Sequence, residues 1–323
     1  MNISFERLQD EARRTGFRAE ILEKVLRLMA MLDGLLSHPY LKGRLALKGG
    51  TALNLFLFDI PRLSVDIDLN YIGAVERDTM LAEKPNIDRA LEAVFQRENT
   101  TMTRAPTEHA GGKWRLRYES ALGGRGNLEV DLNFMYRVPL WPIQQRDSRS
   151  IGAFRATAIP VLDIHELAAG KLTALFARRA SRDLFDAHML LTRESLDTAR
   201  LRTAFVALGG MNRKDWRTIR LEDIGLETNE IRDQLLPVLR TAGQPGSKGP
   251  DEWGKTLVDE CRTALSCLLP FTDPEKEFLD RLLDHGEISP SLITCDAALC
   301  ERLARHPLLE WKALNVRRRR KNA

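Results

Sequence analysis

An α+β fold with a mainly helical region at the C-terminal end is predicted by three features of the sequence. Residues Arg62 to Asn70 alternate strictly between polar and apolar, the period of a strand. Two further alternating segments, Lys113 to Glu119 and Asn127 to Met135, flank the turn Gly123-Gly124-Arg125-Gly126 and read as a hairpin. Around and beyond them, apolar residues recur at helical spacing, and past about residue 200 no strand pattern returns.

Taken in order, residues 17–37 form an amphipathic helix with Leu22, Val25, Leu26, Met29 and Leu32 on its buried side. The stretch Leu45 to Tyr71 carries the chemistry. A short apolar strand ends in Lys48-Gly49-Gly50-Thr51, an apolar run follows from Ala52 to Phe58, and the second strand starts after a turn at Pro61. On that strand Arg62, Ser64, Asp66, Asp68 and Asn70 share one face. Asp66 and Asp68 then lie roughly 7 Å apart and repel each other. A cation between them relieves the repulsion, and Mg²⁺ (or Mn²⁺) suits two carboxylates together with substrate phosphates. Gly49 and Gly50 leave room for phosphate to approach the backbone, and Thr51 is placed to cap the helix whose amide end attracts anions.

These residues resemble a known family. Gly49-Gly50-Thr51 followed by Asp66-x-Asp68 is similar to the first motif of the polymerase-β-like nucleotidyltransferases, and the wording KGGTALNLF…RLSVDIDLN resembles its AbiEii/MenT branch, toxins of type IV toxin–antitoxin systems. The resemblance spans about residues 20 to 195 and implies a polymerase-β-like nucleotidyltransferase domain over residues 1–200, with its N-terminal helices, and a helical C-terminal domain with a basic tail over residues 201–323. It implies transfer of NMP from an NTP, with Gly49, Gly50, Thr51 and Ser64 around the terminal phosphates and Asp66 and Asp68 holding metal. The implied acceptor is RNA, the tRNA 3′ end, so that cells stop growing. The implied partner is a separately encoded antitoxin of winged-helix type.

Residues 86–99 read as a further helix, followed by a polar loop and the hairpin. On the hairpin, Glu129, Asp131 and Asn133 alternate with apolar residues, so Asp131 is a candidate third carboxylate and Glu129 competes for the place. In the family resembled, such a residue acts as general base or shares the metals. Residues 141–160 are expected to be irregular. Asp163 with Glu166 has the spacing of a capping box for the next helix, which carries Lys171 among apolar neighbours. The wording around Lys171 resembles the branch's second motif, whose lysine contacts triphosphate, whereas on residue type alone a lysine there snorkels to the surface. Ser181 is placed to cap a following helix, putting Asp183 where the helix dipole favours it. Arg182-Asp183-Leu184-Phe185-Asp186 resembles the branch's last motif; Asp183 and Asp186 both fit its essential aspartate, and Arg182 with Arg178 and Arg179 makes a basic cluster for triphosphate or RNA.

Helices are expected over 229–240, 256–269 and 274–283, with a breaking linker between the first two. Five successive cations, Arg317 to Lys321, read as a disordered tail that contacts polyanions, with Trp311 before them free to stack on a base or to close the helical core. Bulk properties set limits. No apolar run reaches 18 residues and the N-terminus lacks a signal-like segment, so a cytoplasmic protein is expected rather than a membrane or secreted one. The 4 cysteines match no zinc spacing and are expected to be reduced and mostly buried. A net charge of +4 is compatible with a nucleic-acid partner. Two other functions fit the same residues: the same transfer onto a small molecule such as an antibiotic or onto a protein, and a catalytically inactive RNA-binding module.

Overall fold

The computed structural model describes residues 3–227, 229–246 and 249–321. The chain forms two compact units, one of Met1–Arg137, Ile143–Leu162 and Leu236–Gln244, the other of Val138–Pro142, Asp163–Leu235 and Pro245–Ala323.

The first unit contains α1 (Phe5–Thr15), α2 (Ala19–Ser37), β1 (Leu45–Lys48), α3 (Gly49–Thr51), β2 (Asp66–Tyr71), α4 (Arg77–Arg97), β3 (Thr101–Arg104), β4 (Gly111–Glu119), β5 (Arg125–Asn133), β6 (Gln144–Arg146) and β7 (Ile159–Val161). The strands make one mixed sheet in the order β3-β4-β5-β2-β1-β7-β6, which puts β2 at its centre. β2 is antiparallel to β1 and parallel to β5. The predicted apolar stripe of α2, including Leu22, Val25, Leu26 and Leu32, is fully buried, and Leu45, Leu47, Ile67, Leu69, Val130 and Leu132 fill the sheet interior.

Several local expectations are corrected. β2 begins at Asp66 rather than Arg62, because Leu63 N–H donates to the Val238 carbonyl (2.8 Å) and Arg62 bridges Leu239, so Arg62 and Leu63 pair outside the sheet. α4 starts at Arg77 rather than at residue 86 and runs through Pro85; its first turns are mostly exposed and carry no apolar period. β3 lies in the expected polar loop, and β6 and β7 lie in the region expected to be irregular. β7 is three buried residues, Ile159 to Val161, too short to display an alternation.

The second unit is helical: α5 (Ile164–Ala177), α6 (Ser181–Arg193), α7 (Thr198–Gly210), α8 (Pro250–Leu265), α9 (Asp273–Asp280), α10 (Ala297–Ala304) and α11 (Pro307–Lys321). Asp163 caps α5 through the His165 N–H (2.9 Å), but Glu166 does not close the box; its carboxylate accepts from Leu140 N–H (2.9 Å). Ser181 caps nothing, since its hydroxyl donates to the Glu230 carbonyl (2.9 Å) and Ala180 holds the cap position. The helix expected over 229–240 is replaced by two short turns, Ile231–Leu235 and Leu236–Val238, because Pro237 has no amide to continue it. The linker's Ser247 and Lys248 lie outside the described residues. The arginines of the expected disordered tail extend α11: Arg317 donates to the Gly286 carbonyl (2.8 Å) and Arg320 pairs with His285. Asn322 and Ala323 lie outside the described residues. Trp311 is 52% exposed and does not close the core. All four cysteines are free, but Cys267 and Cys295 are exposed and Cys261 alone is buried.

Candidate active site

Strand register assembles the sheet part of the site. Cross-strand partners share a face, and one row runs Lys48 opposite Asp68, Asp68 opposite Asp131, Asp131 opposite Lys113. The next row places Asp66 opposite Glu129 and Glu129 opposite Arg115. Neighbouring strands lie about 4.8 Å apart, so two carboxylates meet between two lysines. Burial, joined by the charge of Asp68 and offset by Lys48 and Lys113, lifts the Asp131 carboxyl above the usual carboxylate range. Glu129 differs: burial would raise it, but Lys113 (2.7 Å) and Arg115 (3.0 Å) overcome that and hold it low. Asp68 and Asp131 make no ion pair among the described residues, so of the two candidates on β5 it is Asp131 that keeps its oxygens available beside β2.

The glycines admit the site's own side chains. Gly49 has φ +72°, and a Cβ there would fall on the Asp68 carboxylate; a Cβ on Gly50 would come within 2.8 Å of Ser64 Oγ and 2.9 Å of Arg62 Nη2. Thr51 is a correction. Lys48 holds the N-cap position of α3, and the Thr51 hydroxyl donates instead to the Asp66 carbonyl, tying the helix start to the start of β2. After α3 the backbone widens into a π-helical turn, Ala52–Leu57, and Asn54 Nδ2 donates back to the Gly50 carbonyl (3.0 Å). Ser64 is buried next to Gly50.

In the helical unit, Lys171 does not snorkel. Its Nζ lies 2.8 Å from Asp183 Oδ1 and 3.0 Å from Asp186 Oδ2, with all three side chains buried. Arg178 Nε adds a second cation to Asp183 at 2.6 Å. Burial would raise the Asp183 carboxyl, but Lys171 and Arg178 prevail and hold it below the usual range. The two aspartates that sequence could not separate are thus one turn apart on α6 and share one lysine of α5. Asp183 lies in the first turn of α6, where the helix dipole favours an acid, and its carboxylate is held in addition by Lys171 and Arg178. Arg182 is half-buried in the same turn.

The sheet carboxylates are hard oxygen donors on adjacent pleats and adjacent strands, a donor set that fits Mg²⁺ or Mn²⁺. Among the described residues no cluster of three or more His, Cys, Asp or Glu stands ready-made for a metal, so waters and substrate phosphates would complete the coordination. The sequence alone gives no role to Lys48, Lys113 or Arg62, and it groups Arg178 with a basic cluster rather than with Asp183. Lys48 is adjacent to the glycine pair, but its place beside Asp68 depends on register, and nothing local marks Lys113 as Asp131's partner.

The family described as "Nucleotidyl transferase AbiEii toxin, Type IV TA system" matches residues 30–252, a span that includes both charged clusters. No curated protein matches the chain. Among solved structures, MenT4, nucleotidyltransferase toxin Rv2826c from Mycobacterium tuberculosis H37Rv, is similar with a TM-score of 0.58 and 20% identity, covering 96% of this chain and 98% of that one. At that identity the likeness establishes the fold, and the family match over most of the chain establishes the kinship. This chain belongs to the AbiEii nucleotidyltransferase toxin family of type IV toxin–antitoxin systems.

Proposed function

We propose that the protein transfers a nucleoside monophosphate from an NTP to the 3′ hydroxyl of an RNA, a tRNA end, and arrests growth by doing so in the cytoplasm. The observation that carries this reading is the register of Asp68 with Asp131 beside Gly49, two carboxylates that close no ion pair among the described residues in a row bounded by Lys48 and Lys113. Among the described residues no helix is long and apolar enough to cross a membrane. A separately encoded antitoxin of winged-helix type is the partner that family membership suggests.

Asp66 and Asp68, with Asp131 alongside, would hold Mg²⁺ or Mn²⁺; when bound, such ions lower the acceptor hydroxyl's pKa and neutralise charge on the departing pyrophosphate. The acceptor oxygen bonds to the α-phosphorus as the bond from phosphorus to the β-phosphate oxygen breaks. Asp131 accepts the hydroxyl proton, a role suited by its raised affinity for protons and the absence of a competing salt bridge among the described residues. Gly49, Gly50, Thr51 and Ser64 frame the phosphates at the start of the helical turn. Lys171 is proposed to meet triphosphate oxygens, with Asp183 and Asp186 keeping it charged and Arg182 adding a donor.

Label transfer from each α-phosphate-labelled NTP onto tRNA, a protein extract and aminoglycosides tests the proposal. Label on tRNA with wild type, and none with Asp68→Asn, is expected. Label confined to protein or aminoglycoside overturns the acceptor, and no label on any of them overturns the chemistry.

A further inference from the structure

The sheet face that carries the carboxylates continues outward as a row of cations. On β4, Lys113, Arg115 and Arg117 point to the same side as Glu129 and Asp131, and β3, whose register shifts between Met102 and Arg104, pairs Arg104 with Arg115. Arg104, Arg115 and Arg117 are exposed. Like charges opposite one another on adjacent strands destabilise a sheet, and here the single acid Glu129 serves both Lys113 and Arg115. Arg104 and Arg117 make no ion pair among the described residues.

Charges on an edge strand are commonly explained as protection against pairing with other chains. That accounts for Arg104 on β3, but β4 is an interior strand, and Arg115 and Arg117 guard no edge. The aromatic residues of β4, Trp114 and Tyr118, are buried on the opposite side, so this face offers charge and no ring on which a base could stack. The face therefore suits repeated anionic groups. From Lys113 to Arg117 it extends roughly 13 Å along the strand, and its inner end is the Asp131–Lys113 pair of the site.

The geometry points to this β3–β4 face as the track on which the acceptor polynucleotide lies, its backbone phosphates on Arg104, Arg115 and Arg117 and its terminal hydroxyl delivered to Asp131. The inference rests on the transfer reading above and adds the acceptor's path and the way it is read. A polynucleotide fits where an acidic protein does not, because its reacting hydroxyl is joined by the chain itself to a regular series of charges. Contacts to phosphate without base contacts hold a strand irrespective of sequence, so selection among RNAs arises elsewhere.

The test measures binding without NTP, by anisotropy of two unrelated fluorescein-labelled RNA oligonucleotides, for the full chain and for Arg104→Ala/Arg117→Ala. Both residues are exposed and make no ion pair among the described residues, so the variant should keep the wild-type melting temperature. Binding about tenfold weaker for both oligonucleotides is expected, with the slope of log affinity against log salt reduced by about 1.4 for two lost contacts. Arg104→Lys/Arg117→Lys should restore most of the affinity, and the KM for NTP should not change. Unchanged RNA affinity and slope in the alanine variant overturn the track, as does loss of poly-glutamate binding with RNA binding intact. The two readings fail separately. RNA binding lost in the variant of a protein that transfers no label leaves the track standing and the reaction refuted. Transfer to RNA with wild-type binding by the variant does the reverse.

Discussion

The carboxylates of the sheet and those of the helices are kept in opposite ways. Asp68 and Asp131 are half-buried, adjacent to each other and without salt bridges among the described residues, whereas Asp183 and Asp186 are buried and closed on Lys171 at 2.8 and 3.0 Å. In the first pair the charges repel and a ligand is needed to reconcile them. In the second the chain supplies its own counter-charge, and a buried pair of this kind is costly to break even though its net contribution to folding is small. The sheet cluster therefore suits the metal and phosphate partners proposed for it, and the helical cluster holds α5 to α6. Substitutions should separate accordingly, into losses of rate and losses of stability.

The largest expected effect is in the sheet. Asp68→Asn removes a proposed metal ligand and should lower label transfer at least about a thousandfold, equivalent to ~4 kcal/mol of transition-state stabilisation. Because it also removes one of two like charges, its melting temperature should equal or exceed that of wild type. A comparable rate loss accompanied by a marked fall in melting temperature would mean that Asp68 is structural. Lys171→Met is the converse. It leaves Asp183 and Asp186 buried without their shared cation and should cost about 3 kcal/mol in urea unfolding. Adding Asp183→Asn and Asp186→Asn should return most of that. If the single variant unfolds like wild type, the contrast between the two clusters is lost.

The same contrast explains what sequence could reveal. Alternation from Asp66 to Asn70 and along β5 marked the strands that carry Asp66, Asp68 and Asp131, since period 2 is a local property and each strand has one buried side. The row Lys48–Asp68–Asp131–Lys113 was hidden because register joins strands distant in the chain. On the helices, the spacing of Asp183 and Asp186 was visible, but not that Lys171 serves both, because α5 meets α6 through tertiary packing. Caps were the least legible. Ser181, Thr51 and Glu166 all have residue types suited to capping, and each spends its side chain on a backbone group elsewhere in its own unit, Glu230, Asp66 and Leu140 respectively.

Glu166 sharpens the comparison, being a carboxyl that neither repels a neighbour in a ligand site nor closes on a lysine. Burial pushes it up to about 8, so it is mostly protonated at neutral pH. A folded-state value above the unfolded one means that the protonated form favours folding. The contribution is complete below about pH 4.5, declines as pH rises and is gone once pH passes about 8. Across that window wild type should lose stability relative to Glu166→Gln at about 1 kcal/mol per pH unit. Urea unfolding of both proteins at pH 6, 7 and 8 gives the difference directly, and parallel curves would mean that Glu166 is ionised in the folded protein.

The smallest effects concern the glycine pair, where two adjacent residues differ in kind. Gly49 has φ +72° and its missing Cβ is the space Asp68 occupies, so Gly49→Ala incurs backbone strain of about 1 kcal/mol and also displaces a carboxylate of the proposed metal site. Gly50 has no positive φ, and a methyl there meets Ser64 and Arg62 rather than a proposed metal ligand. Gly49→Ala should therefore lose transfer activity by well over tenfold for a small change in melting temperature, and Gly50→Ala should retain the larger share of activity. The reverse ranking would place the important close approach at Gly50, and would make Ser64 and Arg62, rather than Asp68, the side chains whose position the glycine pair protects.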